Sequence, residues 1–295
     1  MEKAMKINFH STTPPQWLIA CILALSLAFT FPSCSDGSSS GSDDEKGQMA
    51  MPVLPIGSKN APTAVGDIVF ADGTATPYSN DLILTNYQKS KAIAVIFYVG
   101  TDLNNGDDTT TSRTLGVGLV HNQDTMVWCN NANASKVSIE TIHCSESERG
   151  GVYTFTGTKN GSENLSKIAS FLTENSSTDD TATERNYPAF YYAKNYKNKN
   201  GSHVSGTKYE SGWYLPSIAE LFQIWKSKGT VNAASNLCGA SEFVGDIPYW
   251  SSTQWSGSNT NKHAYCLVFD GYLEGMPIDQ TMDGGLLNVC AIREF

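Results

Sequence analysis

Five cysteines in the body of the chain are the residues best suited to redox or covalent chemistry. They are Cys129, Cys144, Cys238, Cys266 and Cys290. Cys266 and Cys290 lie within apolar, strand-like stretches and form one candidate disulfide, and Cys129 with Cys144 forms another. The alternative for each pair is two small buried thiols. The sequence contains no Cys-x-x-Cys, so it gives no support to zinc knuckles or thioredoxin-like chemistry.

Four histidines outside the first 33 residues could act as bases or metal ligands. They are His121, His143, His203 and His263, and no two of them have the spacing of a metal site. The sequence also has no Gly-x-Ser-x-Gly, Walker A, His-Glu-x-x-His or glycine-rich dinucleotide motif. Each histidine is therefore interpreted as a surface or loop residue, although a Cys–His or Ser–His pair from distant positions stays open. We expect no metal site and no catalytic residue.

One loop carries enough oxygen ligands to raise the question of calcium. It contains Asp102, Asn104, Asn105, Asp107 and Asp108. The spacing is not that of an EF-hand, because Gly106 comes too early and no glutamate follows at the twelfth position. A solvated turn is the preferred interpretation. We therefore expect no cofactor, since calcium has no support from the spacing.

Two polar stretches near the C-terminus combine aromatic rings with amide and carboxylate groups. Residues 254–263 and 272–279 are both expected to be loops that connect core strands. An aromatic ring supplies contact area, and amides and carboxylates supply directional hydrogen bonds, so such loops suit recognition. The predicted ligand-binding residues are Trp255, Asn259, Asn261, His263, Tyr272 and Glu274. For Trp255, the alternative is a core contact beneath its loop.

The N-terminal region has the pattern of an export signal. Lys3 and Lys6 precede a nearly continuous apolar run from Trp17 to Phe31, which is too short for a comfortable transmembrane span. Cys34 follows shortly after. Residues 1–33 thus resemble a bacterial lipoprotein signal peptide, with Cys34 as the lipidated first residue. The alternative is an ordinary cleaved signal peptide and a secreted protein.

The stretch after Cys34 is rich in serine and acidic residues. It resembles the signal that sends lipoproteins of Bacteroidota-type bacteria to the outer face of the outer membrane. Residues 35–51 lack the apolar content to fold, and three prolines and a glycine mark 52–62 as a linker, so 34–62 are predicted to form a flexible tether and linker. We expect an outer-membrane lipoprotein that faces the cell exterior, with a periplasmic orientation as the alternative.

The composition and charge restrict the class of partner. With 40% hydrophobic and 17% charged residues, the chain is able to build an ordinary globular core. Its formal net charge of −9 without a basic cluster argues against nucleic acid and against electrostatic docking on anionic lipid. The expected partners are a glycan or an extracellular protein, together with the outer membrane through the lipid anchor.

Apolar periodicity predicts helices in the middle of the chain and strands at both ends. The predicted helices cover 163–173, a segment that begins at Pro188, and a segment near 231–238. The predicted strands are 68–70, 92–99, 115–120, 126–129, 137–142, 249–253, 264–270 and 289–293. This order predicts an α+β domain whose terminal strands share one sheet.

A further helix is predicted by the stretch GWYLPSIAEL, residues 212–221. Ser217 and Glu220 have the spacing of a capping box, in which the serine and the glutamate satisfy each other's backbone amides. The helix after Ser217 has an apolar face that consists of Ile218, Leu221, Phe222 and Trp225. We assign Trp213, Trp225 and Trp250 to the core.

Four sequence blocks together resemble one bacterial domain family. They are GWYLPSIAEL at 212–221, YWSST at 249–253, AYCLVFDG at 264–271 and VCAIREF at 289–295. Their order and spacing are similar to those of the C-terminal domain of the collagen-like surface adhesin. The resemblance implies a C-type-lectin-like fold and an adhesin or binding module for glycan or for matrix or host protein. The tripeptide motifs of calcium-dependent sugar lectins are missing, so the resemblance does not imply a calcium-bridged sugar site.

The resulting domain assignment has four parts. Residues 1–33 are the signal peptide, 34–62 the tether, 63–160 a β-rich N-terminal part and 161–295 the C-type-lectin-like core. The alternative is a single domain from 63 to 295. We expect a non-catalytic surface lipoprotein, with an accessory or tip subunit of a surface fibre as the alternative.

An enzyme is the third class of function. The C-type-lectin-like fold is shared with formylglycine-generating oxidases, which need a close pair of reactive cysteines near the C-terminus. Here Cys266 and Cys290 are distant in sequence and lie in apolar strands, which raises the pKa of a thiol and lowers its reactivity. We therefore expect no enzyme activity.

Overall fold

A computed structural model describes most of the chain after the N-terminal region. The described residues are 54–130, 138–149, 152–175, 182–244, 248–255, 263–269, 272–277 and 287–295. Of 272–277 only the backbone is described. The proposed signal peptide and lipidation site, Cys34, lie outside the described residues. Residues 52–295 form one compact unit, and the described elements are mixed α and β.

The regular elements follow the chain in this order. The helices are α1 (Asn86–Lys91), α2 (Asn164–Glu174), α3 (Pro188–Lys194), α4 (Ile218–Lys226) and α5 (Lys228–Cys238). The first six strands are β1 (Asp67–Phe70), β2 (Ala75–Pro77), β3 (Ala92–Gly100), β4 (Arg113–Gly118), β5 (Asn122–Met126) and β6 (Cys144–Arg149). The last six are β7 (Val152–Gly157), β8 (Pro248–Gln254), β9 (His263–Val268), β10 (Tyr272–Pro277), β11 (Leu287–Val289) and β12 (Ile292–Glu294). Short 3-10 turns lie at Glu140–Ile142 and Tyr196–Asn198.

Two five-stranded sheets join the beginning of the described chain to its end. The first sheet has the order β12-β4-β3-β1-β2, and the second has the order β10-β9-β8-β11-β5. Strand β12 pairs antiparallel with β4, so Ile292 lies opposite Val117. Strand β11 pairs antiparallel with β5 and parallel with β8. The first and last strands, β1 and β12, therefore share the first sheet, as predicted, with β3 and β4 between them.

Several predicted strands differ from the observed ones. The strand predicted at 126–129 lies earlier, as β5, and the buried Trp128 and Cys129 follow it. The described part of the strand predicted at 137–142 contains a 3-10 turn instead. The strand predicted at 289–293 is divided into β11 and β12, because the chain passes from the second sheet to the first between them.

One hairpin was not predicted. Strands β6 and β7 pair only with each other as an antiparallel ribbon, and most of their residues are exposed. Serine, threonine and glutamate occupy many positions there. Only β7 alternates, with Tyr153 and Phe155 packed against Phe222, and its partner β6 is polar after Cys144, so periodicity alone did not identify the ribbon.

The core consists of two clusters of buried side chains. The first includes Trp128, Tyr196, Trp213 and Trp250, and packs against α2 and α3. The second packs α4 and α5 against the sheets through residues such as Ile224. Buried Trp213 and Trp250 agree with their core assignment.

The two candidate disulfides are not joined. Cys144 and Cys290 are free thiols in the second cluster, whereas Cys129 and Cys266 lie in the first. Each pair thus contains a thiol that forms no disulfide. The prediction of Cys129–Cys144 and Cys266–Cys290 bridges is therefore corrected.

Helix α4 begins with the predicted capping box. The Ser217 hydroxyl accepts a hydrogen bond from the Glu220 backbone N–H at 3.1 Å, and the Ser217 N–H donates to Glu220 Oε2 at 2.9 Å. The buried face of α4 is not quite the predicted one. Ile224 is fully buried, whereas Trp225 is half-buried and stacks on Phe222 with ring centroids 5.1 Å apart.

Glu220 also belongs to a buried ionic network. Its Oε1 accepts from Arg113 Nη1 at 3.2 Å and from the Tyr214 hydroxyl at 2.8 Å. Arg113 donates in addition to Glu294 Oε2 at 3.0 Å. Burial raises the pKa of Glu220, and the Arg113 charge opposes that shift. The network connects β4, α4 and β12.

Candidate functional site

The predicted recognition loops are only partly described. Trp255 lies at the end of β8, where its N–H donates to the His263 carbonyl at 3.0 Å and its ring meets the His263 ring at 5.0 Å. The tryptophan is half-buried and packs against the second cluster. Asn259 and Asn261 lie outside the described residues. The structure thus brings Trp255 and His263 together, with part of the indole in contact with the core.

The second predicted loop begins as a strand. Tyr272 and Glu274 lie in β10, opposite Val268 and Cys266 of β9. Their side chains are outside the described part of the structure. The assignment of 272–277 to a loop is corrected, because the backbone of this segment pairs with β9 from Tyr272 to Pro277.

The acidic loop before β4 is held by its own hydrogen bonds. Asp108 Oδ1 accepts from the N–H groups of Thr110 and Thr111 at 2.9 and 3.0 Å, which lowers the pKa of this carboxyl. Asn105 Oδ1 accepts from the Asn160 N–H at 2.9 Å. In the described part of the chain, no group of three or more His, Cys, Asp and Glu side chains is arranged to hold a metal ion.

The thiols are poor nucleophiles where they lie. Burial raises the pKa of Cys144 to about 12, and burial raises the pKa of Cys290 as well. Cys238 at the end of α5 has its pKa raised to about 12 for the same reason. Since the thiolate is the reactive form, these three side chains are unsuited to covalent catalysis near neutral pH.

One serine and one histidine come close, beside the end of β8. His143 Nε2 lies 3.2 Å from Ser138 Oγ and 3.3 Å from Gln254 Oε1. Gln254 Oε1 also accepts the Ile139 N–H at 2.7 Å, which identifies this atom as the amide oxygen. His143 thus lies between a hydroxyl and an amide oxygen, and these contacts join the segment 138–143 to the end of β8.

His121 is a buried structural residue beside the second sheet. Its Nδ1 lies 3.1 Å from the Tyr249 hydroxyl, and its ring packs against Phe243 at 4.3 Å. Burial lowers the pKa of His121 to about 4, so the imidazole is neutral at pH 7. The ring faces the protein interior, but its residue also forms part of the wall of a surface cleft.

That cleft has a volume of about 500 Å³ and is lined by three separate parts of the chain. We call it the polar groove. One wall is the stretch from β4 into β5, the opposite wall is α3 with the 3-10 turn after it, and Ser241 closes one end. The lining residues are Val120, His121, Asn122, Asp124, Tyr192, Asn198, Lys199, Asn200 and Ser241.

Two tyrosines fix the walls of the polar groove relative to each other. The Val120 N–H donates to the Tyr196 hydroxyl at 3.0 Å, and the Tyr192 hydroxyl donates to the Val120 carbonyl at 3.3 Å. Burial raises the pKa of both phenols, so both hydroxyls stay protonated at neutral pH. Gly118 is required at this contact, because a Cβ there would lie 2.4 Å from the Tyr196 ring.

Several polar side chains of the groove are available to bind a ligand. Asp124, Asn198 and Asn200 are exposed, and among the described residues none bonds to their side chains. Lys199 Nζ lies 4.3 Å above the Tyr192 ring. The Asn122 amide donates to the Asp124 carbonyl. The groove therefore presents amide, carboxylate and ammonium groups from a rigid base.

None of the groove residues was predicted as a ligand site. The Lys- and Asn-rich stretch after α3 has the composition of an ordinary loop, and β5 was assigned to a connection. The only usable signal was the density of asparagines at 195–200, which composition alone cannot distinguish from a solvated turn.

Comparison with known proteins gives little further information. The sequence matches no family model and no curated protein. Among solved structures, it is similar to a fimbrial protein from Bacteroides ovatus ATCC 8483, with a TM-score of 0.49 and 15% identity. The similarity covers 79% of this chain and 49% of that protein, so the chain spans about half of its length. No helix among the described residues has the length and apolar character that a membrane span requires.

Proposed function

We propose that the chain is a non-catalytic binding module of the cell surface, and that it recognises a glycan in the polar groove. One observation carries the proposal. A cleft of about 500 Å³ gathers the exposed side chains of Asp124, Asn198 and Asn200, which no other described residue engages in hydrogen bonds, beside the half-buried Lys199. Groups arranged in this way are available to a polar ligand.

The chemistry of the groove suits a neutral sugar. Each hydroxyl of a sugar ring donates and accepts hydrogen bonds, and an amide side chain also does both. Asn198 and Asn200 supply two amides on one wall, and the Asn122 amide oxygen and Asp124 add acceptors on the opposite wall. The walls are held by backbone and tyrosine contacts, so little ordering of the protein is needed when a ligand binds.

The proposed fold is C-type-lectin-like, and the contacts among the four sequence blocks support it. The Ser252 N–H of the YWSST block donates to the Pro216 carbonyl at 2.7 Å, and the Ile218 N–H donates to Thr253 Oγ1 at 3.0 Å. Tyr214 and Ile292 exchange two backbone hydrogen bonds at 3.0 Å. The blocks that carry the resemblance thus build one continuous body.

The proposed location is the outer face of the outer membrane, through a lipid on Cys34. Its support is the sequence of the first 51 residues, with a basic start, an apolar run and a serine-rich acidic tail after the cysteine. The absence of catalysis is proposed because burial raises the pKa of Cys144, Cys238 and Cys290, so these thiols are unsuited to covalent catalysis near neutral pH.

A glycan array probed with residues 52–295 tests the proposal. We expect binding to a limited set of neutral glycans. The double variant Asn198→Ala/Asn200→Ala should weaken that binding by about ten- to a hundredfold, since each lost hydrogen bond is worth about 1 kcal/mol. Asn60→Ala, an exposed amide outside the groove, is the control and should leave it unchanged.

Two results would contradict the proposal. The first is an array on which the protein binds no glycan at all. The second is a glycan whose affinity for the double variant equals that for the wild-type protein, with both proteins shown by circular dichroism to be folded.

A further inference from the structure

A second concave site lies between α2, α3 and the segment that leads into α4. Its volume is about 450 Å³, within the range of small-molecule pockets. We call it the helix pocket. Phe190, Trp213 and Leu215 form its buried floor, while Leu165 and Ala169 on α2 form one side. It does not share a lining residue with the polar groove.

The mouth of the helix pocket is polar and positively charged. Lys194, at the end of α3, lines the pocket with its Nζ 5.0 Å from the Tyr191 ring centroid. Ser162 and Ser166 add hydroxyl groups at the opposite side. None of the described lining residues is acidic, although the chain as a whole carries a net charge of −9. The lining is thus opposite in sign to the rest of the protein.

A second cation lies directly behind the pocket wall. Gly212 lines the pocket, and a Cβ on it would lie 2.6 Å from Arg293 Nη1. Arg293 lies over the rings of Tyr209 and Phe295, with its Cζ 5.2 and 5.9 Å from their centroids. Its Nε and Nη1 are buried without a hydrogen-bond partner, and burial lowers the pKa of this guanidinium. Among the described residues no carboxylate pairs with Lys194 or Arg293.

The walls of the helix pocket are rigid. The Gly161 N–H donates to Glu220 Oε2 at 3.1 Å, which ties one wall to the buried ionic network. The Trp213 indole N–H donates to the Tyr209 carbonyl at 2.7 Å, and its ring packs on Tyr196 at 4.3 Å. A preformed site of this kind requires little reorganisation on binding.

We propose that the helix pocket binds a small amphipathic carboxylate, with its apolar body on the floor and its carboxylate at Lys194. The apolar floor favours burial of an aliphatic or aromatic group, because removal of such surface from water is favourable. The carboxylate of the ligand brings a negative charge close to the positive charges of Lys194 and Arg293. This site is distinct from the polar groove and does not depend on glycan binding there.

The test uses three probes with one apolar body, namely octanoate, octan-1-ol and octylammonium. Titration calorimetry with residues 52–295 should show saturable, one-to-one binding of octanoate. Octan-1-ol should bind about tenfold more weakly, since it lacks the charge-assisted contact, and octylammonium should show no saturable binding. Binding of octylammonium as tight as that of octanoate would overturn the proposal.

Two variants locate the ligand. Lys194→Met should reduce octanoate affinity to that of octan-1-ol and leave octan-1-ol affinity unchanged. Lys226→Met is the matched control, because this lysine also lies in the last turn of a helix, and it should change neither affinity. Ala169→Trp should fill the pocket and abolish binding of both probes.

Other outcomes would also overturn the proposal. Octanoate that does not saturate the wild-type protein would exclude the site regardless of any variant. An equal loss of octanoate and octan-1-ol binding in Lys194→Met would show a structural role for the lysine. Unchanged octanoate binding in a folded Ala169→Trp protein would place the ligand elsewhere. A negative glycan array would leave the octanoate result unaffected, so the two proposals fail separately.

Discussion

Glu220 shows how one residue serves local and long-range structure together. Its backbone and side chain complete the capping box with Ser217, and the same carboxylate accepts hydrogen bonds from Arg113, Tyr214 and Gly161. The spacing of a serine and a glutamate predicted the cap. It could not predict the ionic partners, because Arg113 is 107 positions away in the sequence.

Removal of the carboxylate charge of Glu220 should lower the free energy of unfolding. Glu220→Gln leaves the buried Arg113 guanidinium without its full counter-charge, so we expect the free energy of unfolding to fall by about 3–5 kcal/mol. Glu210→Gln is the control, since Glu210 and Lys197 are both more than 40% exposed, and it should cost less than about 1 kcal/mol. Urea titrations of both variants measure the difference. Equal losses would show that the buried network is not specifically stabilising.

His121 should make the free energy of unfolding depend on pH. Its pKa is lowered from 6.5 to about 4 in the folded protein, so the unfolded chain binds a proton first as the pH falls. The stabilisation is therefore present above pH 6.5 and is lost progressively between 6.5 and 4, by up to about 3 kcal/mol. Unfolding free energies measured across this window for the wild-type protein and His121→Gln test the prediction. A pH dependence of the same slope in both would rule out His121 as its source.

Among the elements, α4 allows the buried face to be tested directly. Ile224 is fully buried, and Ile224→Ala should lower the unfolding free energy by about 2–5 kcal/mol. Trp225 is half-buried and stacks on Phe222, so Trp225→Ala should cost less, about 1–2 kcal/mol. Denaturant midpoints of the two variants give the comparison. A larger loss of unfolding free energy for Trp225→Ala than for Ile224→Ala would support the buried face that periodicity predicted.

The helices were easier to predict than the strands, and the reason is the range of their contacts. The apolar spacing of α2, α3 and α4, the proline that begins α3 and the capping box of α4 all lie within a few residues of each other. Strand β10 and the β6–β7 ribbon depend on a partner strand for their hydrogen bonds. The break between β11 and β12 depends on which sheet each joins. Strand pairing and sheet membership depend on residues that are distant in the sequence, so the local sequence pattern did not predict them.

The polar groove and the helix pocket were missed for the same physical reason. Each is formed by three chain segments that no spacing rule connects. Asn122 and Asn200 look like turn residues in the sequence, and Lys194 looks like an ordinary helix end. Trp213 was correctly predicted to be buried, but its position on the floor of a pocket required the tertiary structure.

At the scale of the whole molecule, the sheet edges bear on the alternative of a fibre subunit. In the first sheet, Lys59 exchanges two backbone hydrogen bonds with Ala75 at the β2 edge, and Tyr214 does the same with Ile292 at the β12 edge. Both edges are thus occupied by the chain's own backbone at these positions. Docking of a partner strand would favour the second sheet or the β6–β7 ribbon instead.

The proposed lipid anchor makes a separate prediction for the intact chain. Cys34→Ala removes the sulfur that would carry the lipid, so the variant should move from the membrane fraction to the soluble fraction. Cys21→Ala, a cysteine within the predicted signal peptide, is the matched control and should fractionate like the wild-type protein. Unchanged membrane association of Cys34→Ala would contradict a lipoprotein.

Glycan recognition by the polar groove is the central claim, and hydrogen–deuterium exchange is its most direct test. Residues 52–295 would be compared with and without a saturating glycan from the array. Glycan binding in the polar groove should slow amide exchange at 120–124 and 198–200 and leave it unchanged at 212–215, beside the helix pocket. Protection confined to the predicted loop at 254–263, with none at the groove, would contradict it.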